Sequence, residues 1–118
     1  MRHKNEIHIE DRDVVTLMQI RGDITIASEP FLTQAYQDVC TRGSGKLLLQ
    51  FDESAYINSG GIALLIQLLA QTKKNQQRIA ITGLSPHFQK IFHMVGITKF
   101  ARIYGTAQEA LQTMTLEN

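Results

Sequence analysis

The amino-acid sequence predicts an α/β fold with a mixed, largely parallel sheet of four to five strands and about four helices. Short runs of β-forming residues alternate with segments of helical periodicity along all 118 residues, which is typical of a sheet covered by helices. Residues 46–51 are mostly apolar and predict a strand buried on both faces. The predicted order ββαβαβαβα favours right-handed crossovers between parallel strands, and the length suits one domain over residues 1–118.

Two strands and a helix are predicted in the first third of the chain. Apolar and polar residues alternate over 6–10, the pattern of a half-buried strand. Residues 14–20 predict a second strand, paired to the first across a polar turn at 11–13. Ser28 is expected to cap the first helix, with Pro30 in its first turn. The apolar residues at helical spacing in this helix are Phe31, Leu32, Ala35, Tyr36 and Val39.

The rest of the chain continues the alternation. Serine and threonine caps, a proline in a first turn and glycines after last turns mark the ends of helices. The predicted elements are, in order, a strand at 46–51, a loop at 52–58, a helix at 59–74, a strand at 76–83, a helix at 85–95, a strand at 100–104 and a helix after Thr106. One side of the last helix carries Ala107, Ala110, Leu111 and Met114.

The composition excludes several classes of function. A formal net charge of +1 gives no global field for nucleic acid, so we expect no direct nucleic-acid partner. No apolar run approaches the roughly 18–20 residues that span a bilayer, and residues 1–5 lack the apolar core of a signal peptide. We therefore expect no membrane insertion and a cytoplasmic location. The single cysteine, Cys40, has no partner for an internal disulfide and is expected in the core.

The distribution of charge argues against enzyme chemistry. Residues 1–58 carry a formal charge of −3 and residues 59–118 carry +4, with no carboxylate between Ser59 and Gln108. General acids and bases are therefore scarce in the second half. His87 and His93 are six residues apart, not the three or four of a helical metal pair. We expect no enzymatic activity, no metal and no cofactor.

The clearest local signal lies where the loop at 52–58 meets the helix at 59–74. Ser59 is expected at the N-cap of that helix or within a residue of it. Gly60 and Gly61 follow Ser59. Each glycine in a helix lowers the stability of that helix by about 1 kcal/mol relative to alanine. Glycine permits the close approach of a backbone or a ligand, and the free amides of a helix start attract anions. A phosphate on Ser59 would therefore lie in a favourable field.

The same helix predicts a surface beside Ser59. The stripe expected to face the core is Ile62, Leu65, Ile66 and Leu69. Leu64 and Leu68 fall outside this stripe and are expected to be partly exposed, as a surface for a partner. The alternative is that a neighbouring helix covers both leucines.

Three motifs follow one another along the chain. The first is the turn after the second strand, the second is the loop and helix start around Ser59, and the third is a late serine-proline helix with the glycine that ends it. The residues are Arg21-Gly22-Asp23-Ile24, then Phe51-Asp52-Glu53 with Asn58-Ser59-Gly60-Gly61-Ile62, then Leu84-Ser85-Pro86 with Ile91-Phe92 and Gly96-Ile97. These motifs resemble those of the STAS domain, which occurs in bacterial anti-sigma factor antagonists and in the tails of sulfate transporters.

This resemblance implies an anti-sigma factor antagonist that works by partner switching. It would bind an anti-sigma factor that is also a serine kinase, be released when Ser59 is phosphorylated, and be reset by a serine phosphatase. Compared with the family's motifs, the chain has Asn58 in place of an aspartate, Gly60 in place of serine or threonine, and Thr25 in place of a second acid. The expected partner surface consists of Asp23, Ile24, Thr25, Asn58, Gly60, Gly61, Leu64 and Leu68.

Two alternatives belong to other functional classes. The first is a phosphorylation-independent STAS scaffold, as a subunit of a stressosome or of a lipid-transport complex. The second is a small serine hydrolase with Ser59 on a nucleophile elbow, although Ile57 occupies the position of the first motif glycine. The oligomeric state stays open, with the first strand or the Leu64 surface available for a homodimer.

Overall fold

The computed structural model describes residues 5–117 and has a five-stranded sheet in the order β1-β2-β3-β4-β5. The β1–β2 pair is antiparallel and the other three pairs are parallel. The predicted mixed, largely parallel sheet is therefore confirmed. The strands are β1 Glu6–Arg12, β2 Val15–Arg21, β3 Lys46–Phe51, β4 Arg78–Thr82 and β5 Arg102–Ile103.

Four α-helices connect or follow the strands, and two short 3₁₀ turns precede α1 and β5. Their order confirms the predicted ββαβαβαβα arrangement. The helices are α1 Glu29–Thr41, α2 Ser59–Lys74, α3 Pro86–Met94 and α4 Ala107–Leu116, and the 3₁₀ turns are Ile26–Ser28 and Ile97–Lys99.

The core lies on both faces of the sheet because alternate residues of the central strands point to opposite sides. Leu47 and Leu49 face the side of α1, α2 and α3, where the larger apolar cluster lies. Leu48 between them faces α4 and packs with Ala110 and Met114. All three leucines are fully buried, which explains the apolar run of β3.

Several boundaries differ from the sequence expectation, most clearly the end of β1 and the length of β5. Asp11 and Arg12 belong to β1, so the hairpin loop contains only two residues, Asp13 and Val14. Asp13 has a φ of 60°, a left-handed conformation that aspartate tolerates in tight turns. The last strand has two residues instead of five, because Phe100 and Ala101 still donate their N–H groups to Ile97 O of the preceding 3₁₀ turn.

Two predictions about α1 were wrong in detail. Ser28 occupies the N-cap position, but its side chain makes no capping hydrogen bond to α1. Its hydroxyl instead accepts a hydrogen bond from Thr25 N (3.0 Å), as part of a capping box around the preceding 3₁₀ turn. Cys40 is exposed rather than buried, because it lies one position beyond Val39, the last buried residue of the helix.

Among the helices of residues 5–117, none is both long enough and apolar enough to cross a membrane. No three histidine, cysteine, aspartate or glutamate side chains in that range lie together as a metal site would require.

Candidate functional site

The site is built at the N-terminus of α2, close to the carboxyl end of β3. Ser59 is the first residue of α2 and is exposed. Asn58 is the N-cap: its side-chain Oδ1 accepts a hydrogen bond from Gly61 N (2.9 Å), and its carbonyl accepts from Ile62 N (2.9 Å). The prediction that Ser59 lies within a residue of the cap is confirmed.

The cap leaves a positive helix end at Ser59. The N–H groups of Ser59 and Gly60 belong to the first turn, where no preceding helical carbonyl is available to them. The first turn of α2 contains no acidic residue, and Lys73 and Lys74 lie in its last turn. The positive end of the helix dipole is therefore not balanced by a carboxylate within the helix, which makes this position suitable for an added anion.

A second loop is fixed against this helix start. Ile24, just after β2, forms a parallel bridge with Ile57. Its N–H donates to Tyr56 O (2.9 Å), and its carbonyl accepts from Asn58 N (3.1 Å). Tyr56 N also donates to the carboxylate of Asp23 (2.9 Å). The turn after β2 and the loop after β3 therefore form one hydrogen-bonded unit around Ser59.

The two glycines after Ser59 have different structural roles. A Cβ on Gly61 would lie 2.2 Å from the carbonyl oxygen of Ile24, so no side chain fits there. A Cβ on Gly60 would lie 3.3 Å from Ile26 N, a tight but less severe contact. The expected close approach of another backbone is confirmed, and the backbone that approaches Gly61 belongs to the turn after β2.

Two exposed apolar side chains flank this unit. Ile26 is 65% exposed and follows directly on the turn that contacts Gly60. Tyr56 is 60% exposed, and its ring makes an edge contact with Phe88 of α3 at 5.9 Å between centroids. Large exposed apolar residues are candidates for protein contacts. The sequence analysis did not include Ile26 and Tyr56 in the predicted partner surface. Their position in loops next to two of the motifs could have indicated it.

The structure brings the predicted residues of the two motifs together but distributes them between surface and interior. Asp23 and Ser59 are exposed, and Thr25, Asn58 and Gly60 are half-buried. Ile24 is fully buried and Gly61 is buried, so neither offers a side chain to a partner. Their role is to hold the two loops together.

The expected exposure of Leu64 and Leu68 was wrong. The two side chains are only 6% and 8% exposed, because α1 packs over that side of α2. They form part of a groove of about 590 Å³ between the helices, together with Leu32 and Tyr36 of α1. Of the stripe expected to face the core, Leu65 and Leu69 are buried, whereas Ile62 and Ile66 are half-buried. The buried face of α2 is thus rotated toward α1.

The loop before Ser59 begins with a carboxylate, Asp52, that is hydrogen-bonded within the loop. The Asp52 side chain accepts hydrogen bonds from the Ser54 hydroxyl (2.8 Å) and the Ser54 N–H (3.1 Å). These bonds hold the pKa of Asp52 below its usual value. Within residues 5–117, no side chain hydrogen-bonds to the hydroxyl of Ser59, so no neighbouring base holds that group.

Comparisons with known proteins agree with this architecture. A family model described as "Mlab, STAS domain" matches residues 7–112. An anti-sigma factor antagonist from Mycobacterium paratuberculosis is 22% identical, with a TM-score of 0.76 and coverage of 93% of each chain. A putative anti-sigma factor antagonist from Thermotoga maritima is 14% identical, with a TM-score of 0.78 and coverage of 91% of this chain and 92% of that one.

A third solved structure is the Bacillus cell fate determinant SpoIIAA in its phosphorylated form. It is 13% identical, with a TM-score of 0.65 and coverage of 92% of this chain and 99% of that one. At these identities the likeness to the three structures concerns the fold. The family is shown by its model, which matches nearly the whole chain: this protein belongs to the STAS domain family.

Proposed function

We propose that this protein is an anti-sigma factor antagonist that switches partners through phosphorylation of Ser59. Without phosphate it binds an anti-sigma factor that is also a serine kinase, in the cytoplasm, and so frees a sigma factor. Phosphorylation of Ser59 releases it, and a serine phosphatase restores binding. The observation that carries the proposal is the exposed Ser59 hydroxyl at a capped helix start, beside the exposed apolar residues Ile26 and Tyr56.

The folded domain can accept a phosphate at this position without rearrangement. A phosphoserine carries about −1.5 to −2 charges and three acceptor oxygens. At the first residue of α2 it meets first-turn N–H groups and the positive end of the helix dipole. The cap made by Asn58 to Gly61 N uses a different amide from those of Ser59 and Gly60. The modification therefore changes the surface more than the fold.

The same phosphate would oppose a partner that covers Ser59. An interface that includes Ile26 and Tyr56 is apolar at that point, so docking would force the added charge out of water. A loss of about 3–4 kcal/mol would weaken binding by a few hundredfold, which is sufficient for a switch. In this proposal the chain itself is not an enzyme, because it receives a phosphoryl group from its partner.

A phosphorylation-independent scaffold is the second candidate. Asn58 provides the hydrogen-bond acceptor of the cap but no carboxylate next to Ser59. An aspartate at that position would add a charge available to a kinase or its metal ion. A scaffold would use the same surface around Ile26 and Tyr56 with no change at Ser59.

Variants at Ser59 distinguish the two candidates. Each serine kinase of the histidine-kinase fold encoded in the same genome is purified and tested for binding and for phosphoryl transfer, read by intact mass. We expect wild type to gain one phosphoryl group and Ser59→Ala to gain none while retaining binding. Ser59→Asp should bind far more weakly than Ser59→Asn, its neutral isostere. Ser54→Ala, at a second exposed serine nearby, is the matched control and should behave as wild type.

Two outcomes would contradict the switch. If a partner binds wild type, Ser59→Ala and Ser59→Asp equally and no mass change occurs, the scaffold is supported instead. If phosphate is added but lies on Ser54 or another residue, Ser59 is not the acceptor.

A further inference from the structure

We infer that the free edge of β1 pairs with the β1 edge of a second copy of this chain, to give a two-fold symmetric dimer with a continuous sheet. β1 is the first strand of the sheet order, and β2 is its neighbour among the strands that the structure describes. In a β-ladder, every second residue turns its N–H and C=O away from the existing neighbour. The seven residues Glu6–Arg12 thus present a row of backbone donors and acceptors that can add another strand.

The charges along β1 are self-complementary in one symmetric register. When a two-fold axis relates two antiparallel strands, the residue on the axis faces itself and residues at equal distances on either side face each other. With Ile9 on the axis, Glu6 of one copy faces Arg12 of the other. His8 likewise faces Glu10, and these two side chains carry opposite charges only when the imidazole is protonated. Each pair occurs twice, and the whole of β1 is paired.

Neighbouring registers lack this property. With His8 on the axis, Glu6 would face Glu10 of the second copy. With Glu10 on the axis, two Glu10 carboxylates would face each other and His8 would face Arg12. Like charges directly opposite each other destabilise a strand pair, and opposite charges stabilise it. The register centred on Ile9 is therefore selected, with Ile7 and Asp11 facing each other without a charge conflict.

The side chains concerned are accessible in the single chain. The side chains of His8, Arg12 and Asp11 are 67%, 53% and 63% exposed, and that of Glu10 is 37% exposed. Within the chain Arg12 pairs with Glu10 and Arg42 with Asp11, so in the dimer Arg12 would bridge Glu10 of its own chain and Glu6 of the second copy. Ile7 and Ile9 are half-buried on the face that packs against the core, and the two Ile9 side chains would meet across the seam. The β1 edge is separated by β2 from β3, whose carboxyl end leads to Ser59.

Charge-swap variants test this inference with the full-length protein. Sedimentation equilibrium over a wide concentration range should show a monomer–dimer equilibrium for wild type that weakens at high salt. Glu6→Arg and Arg12→Glu alone should each weaken dimerisation by about tenfold or more, since each creates like-charge pairs at two symmetric places. The double variant Glu6→Arg/Arg12→Glu should recover the affinity of wild type. Lys74→Glu, which makes the same charge reversal at the exposed end of α2, is the control and should dimerise as wild type.

A second measurement tests whether the backbone of β1 forms hydrogen bonds in the dimer. Hydrogen exchange of the β1 amides should slow as the protein concentration rises, while amides of α4 should not change. Thermal unfolding by circular dichroism shows that each variant is folded. A wild type that stays monomeric at all concentrations overturns the inference. A dimer whose affinity is the same in both single variants and in the double variant overturns it too, because that dimer would use another surface.

Discussion

Replacement of Gly61 by alanine tests whether the contact between the turn after β2 and the start of α2 holds the site together. The new Cβ would lie 2.2 Å from the carbonyl oxygen of Ile24 and 2.7 Å from its carbonyl carbon, whereas ordinary contacts begin at 3.4 Å. The two backbones must separate by about 1 Å, because neither neighbouring atom belongs to a flexible side chain. A shift of that size would disrupt the hydrogen bonds that Ile24 makes with Tyr56 O (2.9 Å) and Asn58 N (3.1 Å).

The expected change in the free energy of unfolding is the sum of opposing contributions. Alanine stabilises a helix by at most about 1 kcal/mol relative to glycine. Overpacking costs about 1–3 kcal/mol, and each lost hydrogen bond costs about 1 kcal/mol. We expect Gly61→Ala to lower the free energy of unfolding by about 2–3 kcal/mol, and the melting temperature by about 10 °C for a domain of this size.

Urea denaturation followed by far-ultraviolet circular dichroism measures this change, since the chain contains no tryptophan. Gly60→Ala is the matched control, because its Cβ would be 3.3 Å from Ile26 N and a few tenths of an ångström of movement would accommodate it. Its stability should stay within about 1 kcal/mol of wild type. If Gly61→Ala unfolds at the same or a higher urea concentration than Gly60→Ala, the close contact with Ile24 does not constrain the site as argued.

Three further predictions concern the cap, the interior and the surface. Asn58→Ala should lower the free energy of unfolding by about 1 kcal/mol. Asn58→Asp should keep the cap and raise the free energy of unfolding by about 0.3–1 kcal/mol near neutral pH, and this gain should be lost in acid as the carboxyl is protonated. Urea denaturation near neutral pH and in acid measures both effects. Burial raises the pKa of Tyr36 to about 12 from an ordinary value of 10.0. The unfolded chain therefore loses this proton first, and the free energy of unfolding should fall as the pH rises from about 10 to 12. Tyr36→Phe should remove this part of the fall in urea denaturation curves measured over that pH range. Ile26→Ser should weaken binding of the kinase partner by at least about tenfold. The melting temperature should not fall, because the Ile26 side chain is 65% exposed. An unchanged affinity would exclude Ile26 from the interface.

The sequence was sufficient to predict the order of elements and the place of Ser59 at the start of a helix, because those depend on local signals. The prediction of α2 from Ser59 to Lys74 matches the structure, since a polar cap and a long apolar periodicity mark its ends. The inward side of α4 was predicted for the same reason, and Ala110 and Met114 are buried there.

The errors arose where a tertiary contact decides the outcome. Leu64 and Leu68 lie outside the stripe that periodicity favours, yet they are buried because they share a core cluster with Leu32 and Tyr36 of α1. The position of α1 cannot be read from the residues of α2. The contact that excludes a side chain at Gly61 involves Ile24, 37 positions earlier in the chain, and no local pattern specifies it. Sequence reasoning did indicate that the glycine permits a close approach, but not which backbone approaches.

The site combines a rigid arrangement with a surface that a single charge can change. Hydrogen bonds that Asp23 accepts and that Ile24 donates and accepts join the turn after β2 to the loop before α2, and Gly61 lets that turn lie directly against the helix. Ile26 and Ser59 are thereby held in a constant relation before any partner arrives, so little conformational entropy is lost there on binding. In the proposed switch, a phosphate on Ser59 would meet first-turn amides that already point outward, and the fold would have no reason to adjust to it. Its effect would then fall on the partner, which would have to desolvate the new charge beside an apolar contact. Under this proposal a rigid site would convert one covalent modification into a loss of affinity without a conformational change.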